Sequence, residues 1–199
     1  MKIICIGRNY TEHIKELNNE LPEKPVIFLK PSTAILREGQ DFYYPKFSKD
    51  IHYECELILK IGKNGKYIQP KFALDYISEI SVGIDFTARD LQNELKQKGL
   101  PWELAKGFDQ SAFIGKFIPF ENKDYAFSMA KNKNIVQKGN SRQMIHSFAD
   151  IIVFVSQYFT LQTGDLIYTG TPQGVGGIAI GDIYEGFLEE ERLFTMVIK

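Results

Sequence analysis

Cysteine and histidine are scarce in this 199-residue chain: two Cys and three His, at scattered positions. They supply no zinc-finger framework, and Cys5 and Cys55 form no Cys-x-x-Cys pair. Both cysteines sit in apolar, strand-like segments and read as buried thiols of a reducing compartment, not as a disulfide. Long hydrophobic runs are missing as well. The longest, Ile151 to Val155, falls far short of the ~18–20 residues that cross a membrane. The segment Met1 to Tyr10 is too weakly apolar for a secretory signal and reads as an opening strand, so the cytoplasm is the expected location. Neither sign of charge dominates: 24 Lys plus Arg against 25 Asp plus Glu leave a net charge of −1. Without a basic stripe, nucleic acid is not an expected partner. No repeat, low-complexity tract or long linker divides the sequence, and a single domain over 1–199 is expected.

What is present is an ample supply of core-forming side chains, with 15 Phe, 10 Tyr and 44% hydrophobic residues. Short β-branched or aromatic runs bounded by Gly, Pro or Asn place strands at 2–6, 26–30, 54–61, 80–86, 113–120, 165–169, 182–188 and 192–198. Three helices are expected between them. The first opens at Asn9, with Glu12 completing a capping box, and runs to about Leu17. The second opens at Thr87, with Asp90 three residues on, and closes at Lys98–Gly99. The third spans 141–159, where Met144, Ile145, Phe148, Ile151, Ile152, Val155 and Phe159 recur at spacings of three and four. Many strands without regular βαβ alternation make a sheet-dominated α+β domain.

The segment His52-Tyr53-Glu54-Cys55-Glu56-Leu57-Ile58-Leu59-Lys60-Ile61 carries the first chemical signal. Strand alternation puts Cys55, Leu57, Leu59 and Ile61 on one apolar face and projects Glu54 and Glu56 together from the other. Two carboxylates at adjacent same-side positions repel one another. They are either a solvated face or ligands of a hard divalent cation such as Mg²⁺ or Mn²⁺. Asp85 ends a second apolar strand just before the helix expected at Thr87. Arg89 occupies that helix's first turn, where the dipole disfavours a cation, and shares a face with Gln92. An acid, an ill-placed Arg and a Gln at one strand–helix junction suit an anionic ligand.

The pattern resembles the fumarylacetoacetate hydrolase family, especially its short, acylpyruvase-like members. The pieces that carry the resemblance are Gly-Arg-Asn-Tyr (7–10) with His13 and Glu16, Lys-Pro-Ser (30–32) and Tyr-Glu-Cys-Glu-Leu (53–57). With them stand Asp85 with Thr-Ala-Arg-Asp-Leu-Gln (87–92), Lys-Gly-Phe-Asp (106–109) and Thr-Gly-Thr-Pro (169–172). They run in family order along nearly the whole chain. Three departures stand out: Ile84 where Asn is usual, Lys131-Asn132-Lys133-Asn134 in place of an Asn-Gly-Glu hairpin, and Glu189-Glu190-Glu191 in place of a glycine-rich ending.

The resemblance implies a mixed β-sandwich or roll of the family's C-terminal-domain type with few helices, assembled as a homodimer. It implies Glu54, Glu56 and Asp85 as ligands of Mg²⁺ or Mn²⁺. The implied reaction is hydrolysis of the C–C bond of acylpyruvate-type β-diketo acids, with oxaloacetate decarboxylation at the same site. A small 2-oxo acid would be held by Arg89, Gln92, Thr171 and Lys30, with Lys106 near the developing negative charge. His13 and Glu16, at i and i+3 on the first helix, would form a water-activating dyad on a helix that acts as a lid. An isomerase or decarboxylase of 2-hydroxyhepta-2,4-diene-1,7-dioate-type acids is the competing reading. The glycines of 170–177 lack a P-loop ending and are expected to admit close approach of a substrate. His52, His146 and Asp109 are read as structural.

Overall fold

The computed structural model describes residues 1–16 and 23–199. In chain order the strands are β1 Ile3–Gly7, β2 Val26–Lys30, β3 Ile35–Arg37, β4 Ile51–Tyr53, β5 Cys55–Ile61, β6 Ile77–Asp85, β7 Thr87–Ala88 and β8 Ala112–Ile114. There follow β9 Ile118–Pro119, β10 Ala126–Lys131, β11 Asn134–Asn140, β12 Leu166–Tyr168, β13 Gly176–Gly177, β14 Ile183–Leu188 and β15 Glu191–Val197. The helices are α1 Thr11–Glu16, α2 Arg89–Lys98, α3 Glu103–Lys106 and α4 Phe148–Tyr158.

The largest sheet is eight-stranded and runs β2-β1-β12-β5-β6-β8-β3, with β9 also paired to β6. Its β1–β12 and β3–β8 pairs are parallel, and the others antiparallel. A four-stranded sheet, β11-β10-β14-β15, packs with it, and a small sheet joins β13, β4 and β7. The alternation read from β5 is what builds the centre. Cys55, Leu57, Leu59 and Ile61 enter the main core, while Ile58 enters a second cluster with Ile3, Cys5 and Tyr168. Both faces of this strand are therefore buried, and any polar side chain at its end is carried into the interior. Both cysteines are buried free thiols. The result is the sheet-dominated α+β architecture expected from the sequence.

The helices differ from the sequence reading at their starts. Asn9 does not cap the first helix, which begins at Thr11. Its side chain instead ties distant segments, donating to Thr169 O (2.8 Å) and His146 O (3.1 Å) and accepting from His146 N (2.8 Å). Leu17, the expected end of that helix, lies outside the described residues. Thr87 and Ala88 are extended and pair with β4, so α2 starts at Arg89. Its end is as expected, with Gly99 left-handed at φ 64°. The expected third helix is broken. A single 3₁₀ turn at Ser141–Gln143 precedes an extended link through Met144, and α4 begins only after Ser147. Ser147 and Asp150 form a reciprocal capping box there, a stronger start signal than the apolar spacing that bridged it. The β10–β11 hairpin turns at Asn132 and Lys133, at φ 51° and 69°, the twist that tight hairpins favour.

Candidate active site

Strand pairing brings the three acids together. The register of β5 on β6 sets Cys55 opposite Ile84 and Glu56 opposite Gly83. One step beyond, Asp85 N donates to Glu54 O at 2.8 Å. Glu54 and Asp85 are thus cross-strand neighbours, and Glu56 is the diagonal one, within side-chain reach. Oxygens of the three carboxylates lie within 4.8 Å of one another, and all three residues are buried.

Three buried cations answer them. Lys106, at the end of α3, places Nζ 2.9 Å from Glu54 Oε2 and 2.7 Å from Asp85 Oδ2, and donates to Thr87 Oγ1 at 2.6 Å. Arg89, the first residue of α2, donates from Nη2 to Glu54 Oε1 and from Nη1 to Gln92 Oε1, both at 2.6 Å. Lys30, the last residue of β2, reaches Asp85 Oδ1 at 2.7 Å and donates to Ser111 O and Oγ and the Lys106 carbonyl. Burial opposes the charged Lys106, yet Asp85 and Glu54 outweigh it and hold its pKa above the ordinary lysine value. Glu56 is held differently, by the Gly170 amide at 2.7 Å. Burial, then the charges of Asp85 and Glu54, push its carboxyl well above the usual range; Lys106 and the Gly170 amide only partly offset them.

The donor set fits a hard divalent cation. All three candidate donors are carboxylates, as Mg²⁺ and Mn²⁺ prefer. Asp85 Oδ1, although buried, accepts no hydrogen bond of good geometry. A divalent charge would also offset the burial and the repulsion from Asp85 and Glu54 that together raise Glu56.

Of the other residues singled out in the sequence, Arg89, Gln92, Lys106 and Thr171 line one cleft with the triad. Thr171 Oγ1 is already engaged, donating to Cys55 O (2.8 Å) and accepting from Gln137 Nε2 (2.9 Å). Lys30, expected among the substrate contacts, is a buried counter-ion of Asp85 and is not on the wall of this cleft. Glu16 receives the Gly174 amide at 3.0 Å, which docks α1 on the glycine-rich loop. His13 lies on α1, and its side chain is outside the described residues. Gly170 is required by the fold itself: at φ 100° its Cβ would stand 2.7 Å from Asn9 Cβ. His146 falls in the link before α4, not on a helix, and His52 pairs with Asp50 at 2.9 Å.

The sequence reading missed Gln137, buried and bridging Cys55 N, Thr171 Oγ1 and Pro172 O. It also missed Arg8, Lys96, Phe28 and Trp102 on the cleft wall. A signal for Lys96 existed, since it follows Arg89 and Gln92 at i+7 and i+4 on one helical face.

Residues 2–195 match the family model described as fumarylacetoacetate (FAA) hydrolase C-terminal. The chain is 41% identical over 191 residues to the mitochondrial oxaloacetate tautomerase FAHD1 of Mus musculus, covering 94% of this chain and 86% of that protein. It is 42% identical over 187 residues to a mitochondrial oxaloacetate decarboxylase of Dictyostelium discoideum, covering 92% and 86%. In three dimensions it matches the fumarylpyruvate hydrolase of Pseudomonas aeruginosa in complex with Mn²⁺ and pyruvate. There the TM-score is 0.94 and the identity 33%, over 100% of this chain and 89% of that one.

Proposed function

The chain belongs to the fumarylacetoacetate hydrolase family, and from that premise we propose a divalent-metal-dependent enzyme of small 2-oxo acids. It hydrolyses the C–C bond of acylpyruvates to pyruvate and a carboxylic acid, and acts on oxaloacetate at the same site. The observation that carries this reading is the buried cluster of Glu54, Glu56 and Asp85 ringed by Lys106, Arg89 and Lys30. Glu54, Glu56 and Asp85 would hold Mg²⁺ or Mn²⁺, which supplies Lewis-acid stabilisation of an enolate oxygen.

The chain's own residues do the rest. Lys106 stays protonated and places a fixed positive charge beside the cluster, preorganised for negative charge that develops on the substrate. Arg89 and Gln92, locked to each other, present a rigid polar edge that orients the 2-oxo acid. Thr171 adds a hydroxyl to the wall, and Lys30 supports Asp85 from behind. For hydrolysis a water must lose a proton as it adds to the distal carbonyl; the C–C electron pair then leaves as the pyruvate enolate. We assign that proton to His13, with Glu16 fixing the imidazole, on a helix that closes the cleft. Tautomerisation or decarboxylation of oxaloacetate needs no such water. The chain is further proposed to work as one domain, in a homodimer, in the cytoplasm.

Incubation with Mg²⁺ and acetylpyruvate should release pyruvate, and His13→Ala should impair this more than it impairs oxaloacetate decarboxylation. Absence of pyruvate release alongside isomerisation of an unsaturated 2-oxo dioate would sink the hydrolase assignment.

A further inference from the structure

Three cations face three carboxyl groups at the centre of the cleft, each within ion-pair distance of a partner or held by an amide. Two more cations line the same cleft and are not part of that set: Arg8 and Lys96. Among the described residues neither forms an ion pair with a carboxylate. Their proximity is self-opposing. Burial lowers the Lys96 pKa to about 8, and Arg89 and Arg8 reinforce the shift against the attraction of Glu54.

Like charges brought together in a half-buried wall persist where the fold holds them there. Arg8 has a left-handed backbone at φ 59°, a strained conformation for a residue with a Cβ. The next residue explains why it endures: Asn9 is pinned by Thr169 and His146, so the turn cannot relax. Lys96 is held by the face of α2 that also carries Arg89 and Gln92, and its ammonium stands 5.5 Å from the Trp102 ring centre. Trp102 in turn packs on Phe28, with ring centres 5.9 Å apart. A lysine in a last helical turn ordinarily serves the dipole from solvent; this one faces a cleft beside a second strained cation.

We propose that Arg8 and Lys96 form a subsite for the distal carboxylate of a dicarboxylic 2-oxo acid, selecting such substrates over monocarboxylic ones. The inference rests on the 2-oxo-acid reading above. It divides the cleft into a pole that takes the 2-oxo-carboxylate end, at the acidic cluster and Arg89, and a cationic wall that takes the far end. An anion there would relieve the repulsion between the two cations, and the aromatic pair would shield the contact from water, which strengthens it.

The test compares two unreactive ligands of equal chain length, 2-oxoglutarate and 2-oxovalerate, bound to the Mn²⁺-loaded protein by calorimetry. Wild type is expected to bind 2-oxoglutarate about tenfold or more tighter, a difference of about 1.4 kcal/mol. Lys96→Met keeps the stem over Trp102 and removes the charge, and should collapse that ratio; Lys96→Arg should preserve it. Arg8→Asn, which tolerates the left-handed backbone, should also reduce it. The proposal is overturned if wild type shows no preference, if Lys96→Met retains it, or if that variant weakens both ligands alike. Pyruvate release from acetylpyruvate by wild type reports separately on the 2-oxo-acid reading, so the two ideas can fail independently.

Discussion

Replacing Glu56 by Gln removes a buried carboxyl whose ionisation is opposed by two like charges, while keeping its shape. At the 4.8 Å limit that bounds the cluster, one pair of carboxylates repels by about 3.5 kcal/mol at an effective dielectric near 20. Glu56 faces two such partners, and Lys106 offsets part of the repulsion. A net gain of about 1–2 kcal/mol for the metal-free variant is expected, which for a chain of this size raises Tm by about 2–8 °C. The sign also sets the pH dependence. A carboxyl raised above its ordinary 4.5 keeps a proton in the folded state that the unfolded chain has released. Metal-free stability therefore falls as pH climbs from about 4.5 toward the raised value, and Glu56→Gln should flatten that slope. With metal the ranking inverts. At a hundred times Kd, a ligand that binds only the native state adds about 2.7 kcal/mol, or about 5–11 °C in Tm. Wild type should show that rise with Mn²⁺ and the variant little of it. Thermal unfolding by circular dichroism, with chelator and with Mn²⁺, gives all four values. A chelated Glu56→Gln less stable than chelated wild type, or an undiminished Mn²⁺ shift in the variant, would refute the reasoning.

Lys106→Met leaves Glu54 and Asp85 without a shared buried cation, and in the metal-free protein it should lose about 3–5 kcal/mol by urea unfolding. Ser147→Ala removes the capping box of α4 and should lose about 1 kcal/mol without altering turnover. Reductively ¹³C-methylated lysines followed by NMR should show Lys96 titrating near pH 8, well below the solvent-exposed lysines, and a normal value there would contradict the burial and crowding of cations described for it. Gly83→Ala would bring a Cβ to 2.2 Å of Phe113 O across β8, so it should yield little soluble protein, as judged by expression and size exclusion.

The acidic pair was legible because strand alternation is strict: once 54–61 is a strand with an apolar face, Glu54 and Glu56 must travel together. Asp85 became their neighbour through pairing register, a non-local property that no local pattern shows. The burial of Lys30 was hidden for a related reason. Lys30 looks like a strand end, but β2 delivers it to the interior, against a loop carrying Ser111 and the Lys106 carbonyl. The break before α4 was hidden by apolar residues whose spacing runs through it, because Met144 packs on the core without being helical. Gln137 gave no sign at all; a lone Gln on β11 acquires meaning only when Cys55, Thr171 and Pro172 converge on it.

The placement of β1 bears on when the protein becomes competent. Ile3 pairs with Leu166 and Cys5 with Tyr168, so the first strand of the chain waits, half paired with β2, for one of the last. Closing so long a loop must precede any reward from its contacts, which makes folding slow. Glu56 shares that delay, since its amide partner is Gly170, just past β12. During synthesis Glu54 and Glu56 exist long before the segment that shapes their surroundings. A metal that Glu54, Glu56 and Asp85 would hold is therefore captured late, and a nascent chain lacking residues beyond β12 carries all three acids without a finished place for an ion.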